Sequence, residues 1–327
     1  MNVVARGLGT GRLTIASYDP AMDDEWDELV SAAPMGTFLH TRRFLGYHGD
    51  RFVDRSLVLR DDSKLVGVLP AAVDPHDDQR IVSHPGITFG GLVHGGQLVG
   101  AATVGAVGAV CEAYAELGFT SLGYKAVPHI YQLMPSQDDI YALVQLGAQI
   151  VRCELSCAID LSNRGQRSDR RRRGERKAKR RGITVIQGVE RLADLWPVIE
   201  ENLAAKHRAR PAHTLDEMRL LVSLFPESIE IVTASLEGSV VAGVVLFKSS
   251  RVVHAQYIAS SDPGRDVAAL DAVFERCIEG ARSSGARFFD FGTSTEPEGQ
   301  RLNATLYKFK SEFGGTGVVQ ESYELKL

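Results

Sequence analysis

Apolar positions along this chain recur with two different periods, and the changes of period mark its elements. From Leu57 to Val73 and again from Ile231 to Phe247 the pattern reads strand, polar turn, strand, with a glycine in the second strand. The turns, Asp61-Asp-Ser and Glu237-Gly-Ser, carry hairpin chemistry. A helical spacing precedes each hairpin: Trp26, Leu29 and Val30 within 23–33, then Leu195, Trp196, Ile199 and Leu203 within 193–206. The repeat of helix then hairpin predicts two duplicated halves.

Between the hairpins the pattern predicts a glycine-rich stretch (86–100), a helix over 101–117, a strand at 121–125, a helix over 136–146 and a strand at 149–160. After the second hairpin it predicts a strand at 252–259, a helix over 268–283, a strand at 287–291, a helix over 302–313 and a strand at 318–325. A further helix is expected over 214–224, and one ending at Lys177–Arg181 before Gly182. Mixed antiparallel and crossover connections give an α/β or α+β fold.

Composition adds three constraints. At 327 residues, 44% of them hydrophobic and 24% charged, the chain has material for two ordinary cores. Four scattered cysteines form no disulfide framework, and Cys153 and Cys157 lack the partners a zinc site needs. The N-terminal MNVVARGLGTGRLTI has no continuous apolar run, and Leu98–Cys111 is too short to span a bilayer. A cytoplasmic enzyme without a leader or a membrane span is therefore expected, its oligomeric state left open.

Charge is the sharpest asymmetry. The net charge is −4, yet 164–181 holds eleven Arg or Lys and two acids, so a +9 segment sits on a body of −13. No aromatic residue interleaves Arg170-RRRGERKAKRR, which disfavours base stacking and leaves phosphate neutralisation, with Arg171, Arg172 and Lys177 as candidates.

Candidate chemistry concentrates near the C-terminus. Asp290 and Glu296 lie at or beyond the end of a buried strand, where ligand sites form in α/β sheets, and either carboxylate suits a base that deprotonates an amine. Lys310 suits an oxyanion or a phosphate. The plain alternative is that Asp290 and Glu296 cap a turn and Lys310 is a solvated helix residue. The loop Ser260-Ser-Asp-Pro-Gly-Arg opens a helix with Asp262 as expected N-cap and Pro263 at the first helical position. That cap would repel a phosphate unless Arg265 offsets it. In the first half, His84 and His129 each neighbour a proline on a turn, Gly86, Gly90 and Gly91 permit a close backbone approach, and His213 precedes a helix.

The runs Gln256-YIASS, Phe289-DFGTSTEPEG and Leu302-NATLYKFKSEFGG resemble the Fem-like branch of the GNAT acyltransferase superfamily. Ser83-HPGITFGG, Pro128-HIY and Arg210-PAHTLDEM are similar to motifs of its glycan-locus and natural-product-locus subgroup. The resemblance implies two tandem GNAT-like domains with mixed, mostly antiparallel sheets flanked by helices. It places them at 1–162 and 163–327, the second entered through the basic segment 163–182 and the last strand pairing back with the first. It implies N-acyl transfer to a small amine or amino sugar, without a tightly bound cofactor. Acyl-CoA or an acyl carrier would be the donor; the alternative is aminoacyl transfer from aminoacyl-tRNA, with tRNA held by the basic segment. Lys310, Asp290, Glu296 and His84 become the expected reactive group. Tyr257, Gln256, Asn303, His129, Tyr131 and His213 become the expected acceptor contacts, and Arg265, Arg171, Arg172 and Lys177 the donor contacts.

Overall fold

The structure, a computed structural model, describes residues 2–4, 13–207, 210–296 and 299–327. Most of the N-terminal segment expected to lack a leader, and positions 297–298 of the polar run, lie outside them. Contacts divide the chain into two units. One holds the residues up to Glu154 together with 299–300 and Val319–Leu327; the other holds residues 155–296 and Arg301–Val318.

In the first unit, β1 (Asn2–Val4), β2 (Leu13–Ser17), β3 (Leu57–Asp61) and β4 (Lys64–Leu69) form an antiparallel run, with α1 (Asp23–Ala32) and α2 (Arg42–Leu45) between β2 and β3. β5 (Ala72–Asp74) pairs antiparallel with β6 (Asp77–Val82), and the short β7 (Val93–His94) lies against β4. α3 (Ala101–Glu116) then carries the chain to β8 (Ser121–Lys125), which runs parallel to β6 with Ile81 opposite Leu122. α4 (Asp138–Gln145) follows. Ile15, Leu59, Ile81, Tyr114, Leu122 and Tyr323 belong to one core packed with α3 and α4 side chains.

The second unit repeats the plan. β9 (Gln149–Asp160), which belongs to this unit from Leu155 on, leads through α5 (Asp169–Arg180) to β10 (Thr184–Gln187), α6 (Leu192–His207) and α7 (Leu215–Leu224). β10, β11 (Ile229–Leu236), β12 (Ser239–Lys248) and β13 (Val252–Ser260) are antiparallel in sequence order. The β11–β12 turn places Glu237 at φ 50° and Gly238 at φ 85°, the left-handed pair that matches strand twist. α8 (Asp262–Asp266) and α9 (Ala269–Ser283) return the chain to β14 (Phe288–Thr293), parallel to β13. α10 (Ala304–Ser311) and β15 (Thr316–Lys326) complete the order.

Each parallel pair thus has a helix as its crossover, as parallel strands require. The strand beyond it comes from elsewhere in the chain. β14 is flanked antiparallel by β9, and β8 by the end of β15, with Tyr323 opposite Tyr124. α9 buries Val273, Phe274, Cys277, Ile278 and Ala281 along one stripe. Phe274 sits at the centre of an edge-to-face cluster with Phe289, Phe291, Phe309 and Phe313. Such pairs add about 0.5–1.5 kcal/mol each beyond area burial, which fixes α10 against the sheet.

Two local expectations change. Ser261, not Asp262, caps α8, its Oγ accepting from the Gly264 N–H at 3.3 Å. The helix expected over 268–283 is α9, but the helix that Pro263 opens is the separate, short α8, because Ala268 adopts a left-handed conformation (φ 59°, ψ 40°) and α9 begins after it without a side-chain cap. β5 and β6 went unread because Asp77, Asp78 and Gln79 give β6 an exposed polar start.

Candidate functional site

The site grows from a fork in the second unit. β13 and β14 pair only from Val252↔Phe288 to His254↔Asp290; past that point β13 has no β14 partner through to Ser260. The ladder between β12 and β13 also skips Gln256, with Val245 opposite Tyr257 and Leu246 opposite Ala255. A bulge of this kind bends the strand and re-aims its side chains.

At the last paired position, His254 Nδ1 lies 2.9 Å from Asp290 Oδ2. Ser156 Oγ and the Gly292 N–H both donate to Asp290 Oδ1, the latter at 3.0 Å. Burial alone would raise this carboxyl, but the His254 and Ser156 bonds and the Gly292 amide outweigh it and hold Asp290 down to about 2. Asp290 is therefore ionised, and its contact fixes the His254 tautomer with hydrogen on Nδ1 and the lone pair on Nε2.

On the other side of the fork, Lys310 of α10 is 3% exposed, and its Nζ donates to the carbonyls of Gly292 (2.9 Å) and Thr293 (2.6 Å). It is no solvated helix residue. Burial pulls its ammonium down to about 8 against the opposing pull of Asp290 and Cys157. Cys157 is itself pushed up to about 12 by burial, which disqualifies it as a thiolate nucleophile.

Beyond the fork opens a cavity of about 820 Å³. Ile258 and Ser260 of β13, Gly264 and Arg265 of α8, Leu270 and Asp271 of α9, Asn303 and Lys310, and Arg170 and Arg171 of α5 are among its lining. Arg265 donates to the Ser260 carbonyl and to Asp262. Arg171 is 5% exposed and bound to Asp271 (3.2 Å) and Glu312 (3.0 Å), with Phe309 and Phe313 under its guanidinium. Burial raises Asp271 to about 6, with Arg171 and Arg170 pulling the other way. Asn303 caps α10, its Oδ1 accepting from the Leu306 N–H at 2.9 Å.

The remaining expected residues fall into three places. Tyr257 and His213 form a buried pair, with the hydroxyl 2.7 Å from Nδ1 and Trp196 edge-on at 5.7 Å. Glu296 is bound to Arg301 (2.7 Å), beyond the fork's reactive pair in sequence, and of the expected donor contacts Arg172 is bound to Asp169 while Lys177 is exposed on α5. His84, His129 and Tyr131 belong to the first unit. There His84 is 3% exposed at φ 56°, and burial, with His48, Lys125 and Arg42 nearby, pushes it down to about 2, too weak a base for the expected role. The glycines beside it serve the chain itself: a Cβ on Gly90 would stand 2.1 Å from the Ser83 carbonyl oxygen. His129 is exposed, and buried Tyr131 packs against Phe89 with ring centroids 4.5 Å apart and the planes tilted by 53°.

Sequence reasoning missed His254, Asp271 and Arg170. His254 lies on the strand expected at 252–259, yet its partner is 36 residues away and only strand register joins them. Among the described residues no cluster of His, Cys, Asp and Glu could hold a metal ion, and no helix is long and apolar enough to cross a membrane.

Residues 165–308 match the acetyltransferase (GNAT) domain family. Among solved structures the chain is similar to FemX (13% identity, 96% of this chain and 97% of that one, TM-score 0.69). It is also similar to L-PGS from Bacillus licheniformis (15%, 94% and 92%, TM-score 0.60). A tandem GNAT protein from the clavulanic acid biosynthesis pathway matches at 12% identity over 96% and 98%, with a TM-score of 0.53. By sequence, none of the curated proteins matches the chain.

Proposed function

The chain carries an acyltransferase domain of the GNAT type, and from that premise we propose that it moves an acyl group from a pantetheine thioester, acyl-CoA or its carrier-bound counterpart, to the amine of a small molecule such as an amino sugar. One observation carries the reading. The β13–β14 fork holds a dyad fit to take a proton, His254 and Asp290, and Lys310, which lines a cavity fit to hold a donor, bonds the Gly292 and Thr293 carbonyls just past Asp290.

An acceptor amine is mostly protonated at neutral pH and must lose a proton to attack. His254 Nε2 accepts it, while ionised Asp290 holds the ring and stabilises the imidazolium that forms. The amine nitrogen adds to the thioester carbonyl, giving a tetrahedral oxyanion. Two of the Lys310 N–H bonds go to backbone carbonyls, and the remaining hydrogen of its ammonium is the donor for that oxyanion. Collapse breaks the C–S bond; of the two protons that the ammonium gives up on its way to an amide, one passes through His254 to solvent and the other ends on the leaving thiolate. With Cys157 protonated and buried, direct transfer is favoured over an acyl-enzyme.

Donor contacts come from the cavity. α9 starts without a side-chain cap beside Arg265, Arg170 and Arg171, so the phosphate repulsion expected from Asp262 does not apply: that side chain lies at the surface. His213, Tyr257 and Gln256, on and beside β13, supply acceptor contacts. Aminoacyl-tRNA as donor draws on the exposed charge of α5 and on the likeness to FemX.

The experiment is thiol release with acyl-CoA donors against a panel of amino sugars and other primary amines. Transfer that collapses in His254→Ala and Asp290→Asn, with circular dichroism unchanged, supports the reading. Full turnover in both variants removes the dyad from the chemistry.

A further inference from the structure

The basic segment divides its charges between two uses. Arg164 and Arg167, just before α5, bind Glu275, Arg171 binds Asp271 and Glu312, and Arg172 binds Asp169 within the helix, so these four are neutralised inside their own unit. Arg173, Arg176, Lys177 and Arg180 are not. They are exposed, and none lies within ion-pair distance of a carboxylate among the described residues. Their spacing of three, four and seven residues puts them on one face of α5, opposite buried Arg171 and Ala178. From Arg173 to Arg180 this stripe is about 10 Å long.

The same helix lines the cavity with Arg170, Arg171 and Gly174. Inside, cationic groups are already engaged: Arg171 by two carboxylates, Arg265 by Asp262, Lys310 by two carbonyls. The Asp271 carboxylate also stands in the first turn of α9, where a diphosphate would otherwise find helix amides. Arg170, also on the lining, is exposed and has no ion pair among the described residues, so unpaired positive charge runs from the edge of the cavity onto the stripe, where most of it lies.

Resting on the thioester reading above, we infer that the donor arrives on a small acidic carrier protein, whose acidic helix docks on the Arg173–Arg176–Lys177–Arg180 stripe while its phosphopantetheine arm passes α5 into the cavity. The stripe matches such a helix, on which carboxylates recur with each turn of about 5.4 Å. It suits RNA poorly. A nucleic acid gains affinity by neutralising many phosphates along an extended track, and beyond 164–181 the rest of the chain carries −13. α5 also offers no aromatic side chain for stacking.

The test measures binding of a purified holo acyl carrier protein to the full chain by fluorescence anisotropy. Expected are a Kd that weakens steeply between 50 and 300 mM salt, a loss of at least tenfold in R173E/R176E/R180E, and a smaller loss in R173Q/R176Q/R180Q, all with unchanged melting. An unchanged Kd in the charge-reversed variant, or no binding by wild type, overturns the inference. So does transfer RNA that binds more tightly and depends on the same three residues. Acyl transfer from a carrier-free acyl-pantetheine separates the two readings. If that transfer occurs and the carrier does not bind, docking alone falls. A bound carrier with no thioester used as donor by the chain sinks the proposed chemistry and leaves the docking surface standing.

Discussion

Replacing Lys310 with methionine gives the most direct check on the fork, because it separates a buried charge from the hydrogen bonds it makes. Folding takes this amine from the ordinary 10.5 down to about 8, burial being the main cause. Between those values the unfolded chain holds one proton more than the folded chain, so raising the pH favours the folded state. Over that interval, at about 1.4 kcal/mol per pH unit, the gain is about 3 kcal/mol for wild type and absent from the variant. The two carbonyl contacts do not oppose this, since a neutral amine keeps two N–H bonds for Gly292 and Thr293. At pH 7 the variant loses both bonds and also the buried charge, terms of a few kcal/mol each and opposite in sign. Stability at a single pH therefore says little, and the slope says most. Urea unfolding from pH 7 to 10 in a Trp26→Phe background lets Trp196, in the second unit, report on the unit that holds Lys310. Wild type should gain on Lys310→Met by about 2–3 kcal/mol across the range. Parallel curves would mean that Lys310 is not the buried amine described here, and the oxyanion role would fall with it.

Three further outcomes are expected. His254→Ala and Asp290→Asn should each lower kcat by about 10²–10⁴, the usual contribution of a positioned base, read as thiol release at saturating donor and acceptor. Gly264→Ala should destabilise the second unit by several kcal/mol in thermal melts, because its Cβ would sit 2.3 Å from the Val241 carbonyl oxygen, a backbone atom that cannot step aside. Asp271 has a folded value raised to about 6 by burial, so its contribution is present below about pH 4 and is lost as pH rises through 6. Asp271→Asn should gain stability on wild type over that window, and a gain in the other direction would contradict the burial.

Much of the architecture was legible because it rests on local rules. The hairpin turns, the apolar stripe of α9 and the Gly182 stop after α5 are each set by neighbouring residues. The break at Ala268 was hidden, since nothing in an alanine signals a left-handed conformation. Candidate residues divide the same way. Asp290 and Lys310 stood out by strand and motif, but His254 needed the parallel register of β13 and β14. His84 looked reactive on a proline turn, and only packing against His48 and Phe52 shows it as a buried residue of the first unit. In the basic segment the count of charges was plain, whereas which of them are neutralised depends on Glu275, Asp271 and Glu312, a hundred or more residues downstream.

The flanking of β8 by β15 has a consequence for synthesis. About 190 residues separate the two strands, so at 5–20 residues per second β8 waits about 10–40 s on the ribosome for its neighbour. Through that time the edge from Ser121 to Lys125 offers its unpaired amides and carbonyls to any passing strand. The half made first is thus the half finished last, and removing Val319–Leu327 should leave it open in the mature molecule as well.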